Sequence, residues 1–390
     1  MKLKPDGRRY RGWRVLLNPL WCYWGFIVSV IVVTIFGLLM VFSSSTVSSV
    51  SKQESPWSEL FSQGVYCLIG VGFAVVAMHL PRSLYQRFGI VTVLIAWVLQ
   101  ALTFTPLGRG AGGNNGWLYL FGVSLQPAEV LKLALCIYLP RSLMLAKSRY
   151  RVLPLWKAYA LPLGIFVVSF MLVIGGKDLG TAMIIVLIGF FAFLVGEFPL
   201  KILGLASVVG AIGIVCMFVL GSGNRMSRIQ ATYGTCTDTQ GVCWQITHGM
   251  YAMGSGGLLG VGLGNSREKW GYLPAAHNDF IFAIIGEELG FVGAGLLILG
   301  FVTMGWCLVV VALQARDVYP RMVLVCIAGW IVGQALINIC VVLKILPVIG
   351  LPMPFVSSGG SALIMCLIAA GVAVQMMKQQ PDVAAGLAKA

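Results

Sequence analysis

Ten runs of mainly apolar residues, centred near positions 32, 71, 97, 137, 166, 188, 211, 297, 333 and 366, dominate the chain of 390 residues. A helix needs roughly 20 such residues to cross a bilayer. The expected fold is therefore an all-α integral membrane protein of about ten transmembrane helices. With 58% hydrophobic and 10% charged residues and a mean hydropathy of +0.91, the chain lies outside the range of soluble domains. Its 48 Gly and 16 Pro follow no fixed period, which excludes repeat and low-complexity classes.

The net charge of +14 would suggest nucleic acid in a soluble protein. Here the charges flank the apolar runs, and no nucleic-acid partner is expected. With the amino terminus in the cytoplasm, 18 of the 27 Lys and Arg fall inside and eight outside, which places both termini in the cytoplasm by the positive-inside rule. The chain then divides into a basic cytoplasmic tail (1–20), a ten-helix membrane domain (21–378) and a short cytoplasmic tail (379–390). A large extracytoplasmic loop, 221–278, separates helices 7 and 8, and loops of that size usually carry function. The first apolar run, from Cys22 to Ser43, has no Ala-x-Ala site and reads as an uncleaved helix. Ten Cys and three His without a CxxC or clustered spacing argue against a zinc site or a disulfide scaffold. Cys236 and Cys243 alone fall in the outer loop, where oxidation is possible, and are expected to pair.

Thirteen acidic residues are few enough to weigh singly. Asp6, Glu54, Glu59, Glu197, Asp238, Glu268, Asp317 and Asp382 fall in loops or tails and are expected to be solvated. Glu129, Asp178, Asp279, Glu287 and Glu288 lie within or at the mouths of apolar runs, where an ionisable group marks a functional site or a structural ion pair. Glu129 and Lys132, three apart after Pro127, share a helix face. Lys132 is the only basic residue within a run, so it either pairs with a carboxylate or meets an anionic substrate. Asp178 opens a helix and is read equally well as a cap. Asn278 is expected to cap a helix whose first turn carries Asp279.

Two irregular stretches stand out. The Gly-rich segment from Met253 to Ser266 lacks the Gly-Lys-Ser/Thr ending of a nucleotide loop. Its glycines are expected to let backbone lie flat on a membrane-embedded or lipid-phosphate surface. Leu346 to Ser361 holds Pro347, Pro352 and Pro354, which break helices, so it reads as re-entrant or cavity-lining.

Five motifs in order resemble the SEDS family (shape, elongation, division and sporulation). They are Gln126-Pro127-Ala128-Glu129 with Lys132, Asp178-Leu179-Gly180-Thr181, and Gly254-Ser255-Gly256-Gly257 through Leu263-Gly264. His277-Asn278-Asp279-Phe280-Ile281-Phe282 with Glu287-Glu288-Leu289-Gly290 follows, then Pro354-Phe355 with Ser357-Ser358-Gly359-Gly360-Ser361. Gly286 ahead of Glu287 is similar to the division branch. The chain departs from the family at Gly116, where a basic residue is frequent, at Ala275, where an acid is frequent, and at Ile349, often Thr.

The resemblance implies a peptidoglycan glycosyltransferase that polymerises lipid II into glycan strands outside the cytoplasmic membrane, at the septum, beside a class B penicillin-binding protein and other division proteins. It implies Asp279 as the catalytic residue. A carboxylate there can take the acceptor hydroxyl's proton during displacement at the anomeric carbon. Arg225, Arg228 and Lys132 are expected to meet the pyrophosphate, with Lys269 and His277 as further candidates. Glu129, Asp178, Glu287, Glu288 and Ser357 complete the candidate substrate site. A divalent cation, Mg or Mn, could share the phosphate charge. A lipid II flippase or a non-enzymatic scaffold of the division machinery are the alternatives. A flippase should expose carboxylates to both sides, and a scaffold would tolerate loss of Asp279.

Overall fold

The computed structural model describes residues 10, 12–111, 114–120, 123–219, 223–234 and 241–388, leaving aside the side chains of 111–115, 120–123 and 214–225. Its helices are α1 (Pro19–Ser51), α2 (Ser58–His79), α3 (Arg82–Leu102), α4 (Pro127–Arg149), the single turn α5 (Leu155–Ala158), α6 (Ala160–Gly175) and α7 (Leu179–Val195). Then follow α8 (Leu200–Val219), α9 (Gly223–Tyr233), α10 (Val242–Ser255), α11 (Ile281–Gln314), α12 (Val318–Val342), α13 (Gly360–Met377) and α14 (Pro381–Leu387). Every one of the ten apolar runs is a helix: α1 to α4, α6 to α8 and α11 to α13.

Local signals set the helix starts. Asn18 accepts from Leu20 N at 3.0 Å ahead of Pro19, a cap worth about 1 kcal/mol. Pro127 opens α4 in the same way. Helices α12 and α13 form the bundle core, with 67% and 72% of their most apolar windows buried, against 17% for α2 at the rim. Charge-bearing α4 packs among α3, α6, α7 and α12, which keeps Glu129 and Lys132 from lipid.

A small antiparallel sheet, absent from the sequence expectation, links α3 to α4. Strands β1 (Gly108–Ala111), β2 (Asn114–Leu120) and β3 (Val123–Leu125) pair in that order, with Arg109 opposite Trp117 and Tyr119 opposite Ser124.

The described residues of 221–278 are not an irregular hydrophilic loop. They include α9 and α10, and the Gly-rich part docks on α11, a membrane-embedded helix, rather than on lipid phosphate. At Gly290 (φ +65°) α11 kinks, so Phe291 N and Val292 N cannot reach the carbonyls of Glu287 and Glu288. They donate instead to Gly257 O (3.0 Å) and Leu258 O (3.1 Å), while Val261 N (2.9 Å) and Gly262 N (3.0 Å) bond the freed Glu287 and Glu288 carbonyls. Four loop bonds thus replace two helical ones, and buried backbone stays paired as it must. A Cβ on Gly256 would strike Gly286 O and one on Gly260 would strike Glu288 O, so glycine is required by this close approach.

Cys243 is disulfide-bonded, whereas Cys236 lies outside the described residues. The carboxy-terminal α14 is not a loose tail, since Val383 is fully buried and Gly386 lies against Leu20 of α1.

Candidate active site

A cavity of about 270 Å³ opens at the end of the bundle that carries β1–β3, α9 and α10. Its polar lining is Gln126, Asp178, Arg228, Asn278, Asp279 and Ser358, with Trp117 of β2 and the backbone around Gly350 completing the wall. The elements that supply these groups are far apart in sequence, and the irregular 345–359 stretch is what brings them together. As expected, that stretch lines the cavity, through Ile349, Gly350 and Pro352, and its Ile349, Leu351, Met353 and Val356 are all under 5% exposed.

Asp279 does not stand in the first turn of a helix. Helix α11 starts at Ile281, with Phe280 in the cap position and no side-chain cap. Asn278 is not the cap of α11; its carbonyl accepts from Ser357 Oγ at 2.7 Å. The reason is a run of turns ahead of α11, with Ala275 in the left-handed region at φ 53°. A helix amino terminus would lower a carboxyl pKa, but withdrawal from water dominates at Asp279. Burial pushes it from 3.8 up to about 6, against the pull of Arg228 and with a small push from Asp178.

Asp178 both caps α7 and lines the cavity. Its carboxylate accepts from Thr181 N (3.0 Å), Thr181 Oγ1 (2.8 Å) and the Gln126 amide (3.1 Å). A Cβ on Gly116 would lie 3.7 Å from Asp178 Oδ2, so this position faces the cavity with no side chain to offer. Arg228, on α9, donates from Nη1 to Val348 O at 3.2 Å and lines the same cavity. The side chain of Arg225 lies outside the described residues.

The remaining candidates sit elsewhere. Glu129 and Lys132 form an ion pair at 2.7 Å with both side chains 0% exposed, one layer beneath the cavity. Lys132 also donates to Gln334 Oε1 at 2.8 Å and lies 5.0 Å from the Trp330 ring centre. Glu287 accepts from Ser266 Oγ (2.5 Å) and Arg267 N (2.9 Å), and Glu288 from Lys269 Nζ (2.8 Å) and Ser43 Oγ (2.6 Å). These two carboxylates fasten the Gly-rich loop and α1 to α11, away from Asp279. His277 is half-buried, its ring held towards the neutral form by desolvation, and its carbonyl accepts from Ser358 N at 2.9 Å. Ser357 also receives Met353 N at 2.7 Å, so it braces the wall.

Two residues read as solvated are partly buried and held by side-chain partners. Glu59, in the first turn of α2, accepts from Ser358 Oγ, and Glu268 bonds His248 Nδ1 at 2.5 Å with both side chains under 15% exposed. Sequence reading also passed over Gln334 and Asn338, uncharged polar residues buried in α12 at 1% exposure each. A screen for amides inside apolar runs would have found them.

The sequence profile of the cell cycle protein family FtsW/RodA/SpoVE matches residues 23–381. The chain belongs to this family. A probable peptidoglycan glycosyltransferase FtsW of Trichlorobacter lovleyi is 33% identical over 352 residues, covering 89% of this chain and 90% of that one. The stage V sporulation protein E of Bacillus subtilis is 33% identical over 358 residues, covering 90% and 95%. Among solved structures, the rod shape determining protein RodA of Thermus thermophilus superposes with a TM-score of 0.68 at 24% identity, covering 96% of this chain and 99% of that one. A chain from a peptidoglycan synthase complex, reported for its coordination of polymerization and crosslinking, gives 0.73 at 23% identity over 92% and 98%. The likeness to these two structures establishes the fold: a multi-pass membrane protein.

Proposed function

We propose that this protein is a peptidoglycan glycosyltransferase that polymerises lipid II into glycan strands on the outer face of the bacterial cytoplasmic membrane, at the division septum. Both termini then lie in the cytoplasm, and a class B penicillin-binding protein is its transpeptidase partner. The observation that carries the reading is a single cavity holding a recessed carboxylate, Asp279, beside a cation, Arg228. The names of its FtsW relatives support it.

In this mechanism Asp279 takes the proton from the acceptor sugar's 4-hydroxyl as that oxygen attacks the donor's anomeric carbon. The bond from that carbon to the polyprenyl pyrophosphate breaks with inversion, and the electron pair leaves on the phosphate. Arg228 faces the developing charge. Gln126 and the two Thr181 groups hold the Asp178 carboxylate with three hydrogen bonds, which fixes its place in the wall. No group of three His, Cys, Asp or Glu capable of holding a metal occurs among the described residues. A magnesium or manganese ion arriving with the pyrophosphate would find Asp178 as a protein ligand, within the one or two carboxylates that magnesium commonly takes, and would leave Asp279 to act as the base. It would supply countercharge to the leaving group.

Purified protein with its partner is expected to convert labelled lipid II to polymer. Transfer of intact lipid II across vesicle bilayers without polymer would replace this reading with a flippase, and absence of both with a scaffold. A base must be ionised to act, so activity is expected to be half-lost near pH 6 and to fall further as pH drops, following the raised value at Asp279. An acid limb centred near pH 4 in initial rates of polymerisation would contradict that.

A further inference from the structure

Irregular backbone at membrane depth must find donors for its carbonyls, and the 345–359 stretch finds two of them on one face of α12. Gln334 Nε2 donates to Pro352 O at 2.7 Å and Asn338 Nδ2 to Leu351 O at 2.7 Å. The two amides are four apart, one helical turn, and they hold consecutive carbonyls. Asn338 Nδ2 also donates to the main-chain oxygen of Asp279 at 2.9 Å. Both partners of that nitrogen are carbonyls, which accept only, so the amide orientation is fixed by chemistry.

Asn338 Oδ1 is left buried without a partner among the described residues, a cost that packing alone does not explain. Gln334 is fixed as well, because its Oε1 accepts from Lys132 Nζ (2.8 Å) and Trp330 Nε1 (3.0 Å), which turns Nε2 towards Pro352. Between the clamped carbonyls and the carboxylate lies Gly350, at φ +79°, whose Cβ, if present, would be 3.5 Å from Asp279 Oδ2. The cavity floor and Asp279 are therefore pinned to one helix by one pair of side chains.

We infer that Gln334 and Asn338 are positioning residues: an amide clamp on α12 that sets Asp279 above the Gly350 floor and so aligns it with the acceptor hydroxyl. The inference rests on Asp279 acting as the base. A misplacement of about 1 Å in a reacting group can cost roughly 10²-fold in rate, and the clamp is the device that prevents it here.

Asn338→Leu removes both donors at similar size, and Asn338→Gln keeps them on an arm one methylene longer. Each variant, copurified with its partner, is compared with wild type for lipid II polymerisation per folded molecule, across substrate concentration and pH. A drop in kcat of roughly 10- to 100-fold with KM within about threefold is expected, together with an acid limb moved to lower pH. The limb moves because a loosened floor lets water reach Asp279, whose charged neighbours are Arg228 from α9 and Asp178 at the start of α7. If Asn338→Leu does not fold, Asn338→Gln decides. Wild-type kcat per folded molecule, a loss confined to KM, or a reduced kcat with an unmoved acid limb would each overturn the clamp. Asp279→Asn is run in the same series: an active enzyme there refutes the base itself, whatever Asn338 does.

Discussion

Asp279→Asn is expected to insert, fold and bind its transpeptidase partner, yet to lose glycan polymerisation by at least about 10²-fold, the usual loss on removing a general base. The amide matches the carboxylate in size, and the bond from Asn338 to residue 279 is to the main chain, so the loop keeps its anchor. Stability should not suffer. The folded-state pKa of about 6 lies above the ordinary 3.8, so the ionised carboxylate opposes folding. That opposition is complete above about pH 6 and vanishes below about 3.8. A neutral amide removes it, and a thermal midpoint equal to or above wild type is expected at pH 7.5. Near-wild-type polymer from purified Asp279→Asn protein would sink the catalytic assignment, whereas a lower midpoint with no polymer would show that the loss is one of folding.

The parts of this structure that the sequence made legible are those decided by local composition. The ten apolar helices follow from local composition, and six of them are long and apolar enough to cross a bilayer. Even α4 was found, because two charges three apart are compatible with one buried face. A search for ionisable groups at span mouths reached Asp279 and Asp178, since desolvation makes such groups rare unless used. What escaped was set by distant partners. The docking of Gly256 and Gly260 on α11 is a backbone exchange with residues some 30 positions on, and nothing in a Gly-rich string says which helix will kink to receive it. Amphipathic α9, Gly-Asn-Arg-Met-Ser-Arg-Ile-Gln-Ala-Thr-Tyr, reads as a polar loop because its apolar positions are too few to span. The raised pKa of Asp279 escaped for a related reason. A helix dipole acts only on a group held in the first turn, and the turns before Ile281 move the carboxylate out of that position into a recess.

Lys132→Ala is expected to lower the amount of folded protein sharply, because it leaves the Glu129 carboxylate in a dry interior with no countercharge. Lys132 and Glu129 are both fully buried, and one carboxylate oxygen, Oε2, already has no hydrogen-bond partner among the described residues, so the Lys132 ammonium at Oε1 is its main support. Breaking such a pair typically costs about 3–5 kcal/mol, a large share of the stability of an ordinary domain. The damage should also spread to the site. Gln334 would lose the donor that helps orient its amide towards Pro352, so the surviving folded enzyme should show a reduced kcat. A substrate-binding lysine would behave differently: protein level would hold while KM for lipid II rose. Replacing both partners separates these accounts, since burying two apolar side chains of similar volume is often neutral or stabilising. Glu129→Met combined with Lys132→Met is expected to restore folded yield, measured by fluorescence-detected size exclusion after heating, while leaving the kcat defect in place. Full folded yield in the single Lys132→Ala variant, with lipid II turnover lost through KM, would return Lys132 to the pyrophosphate.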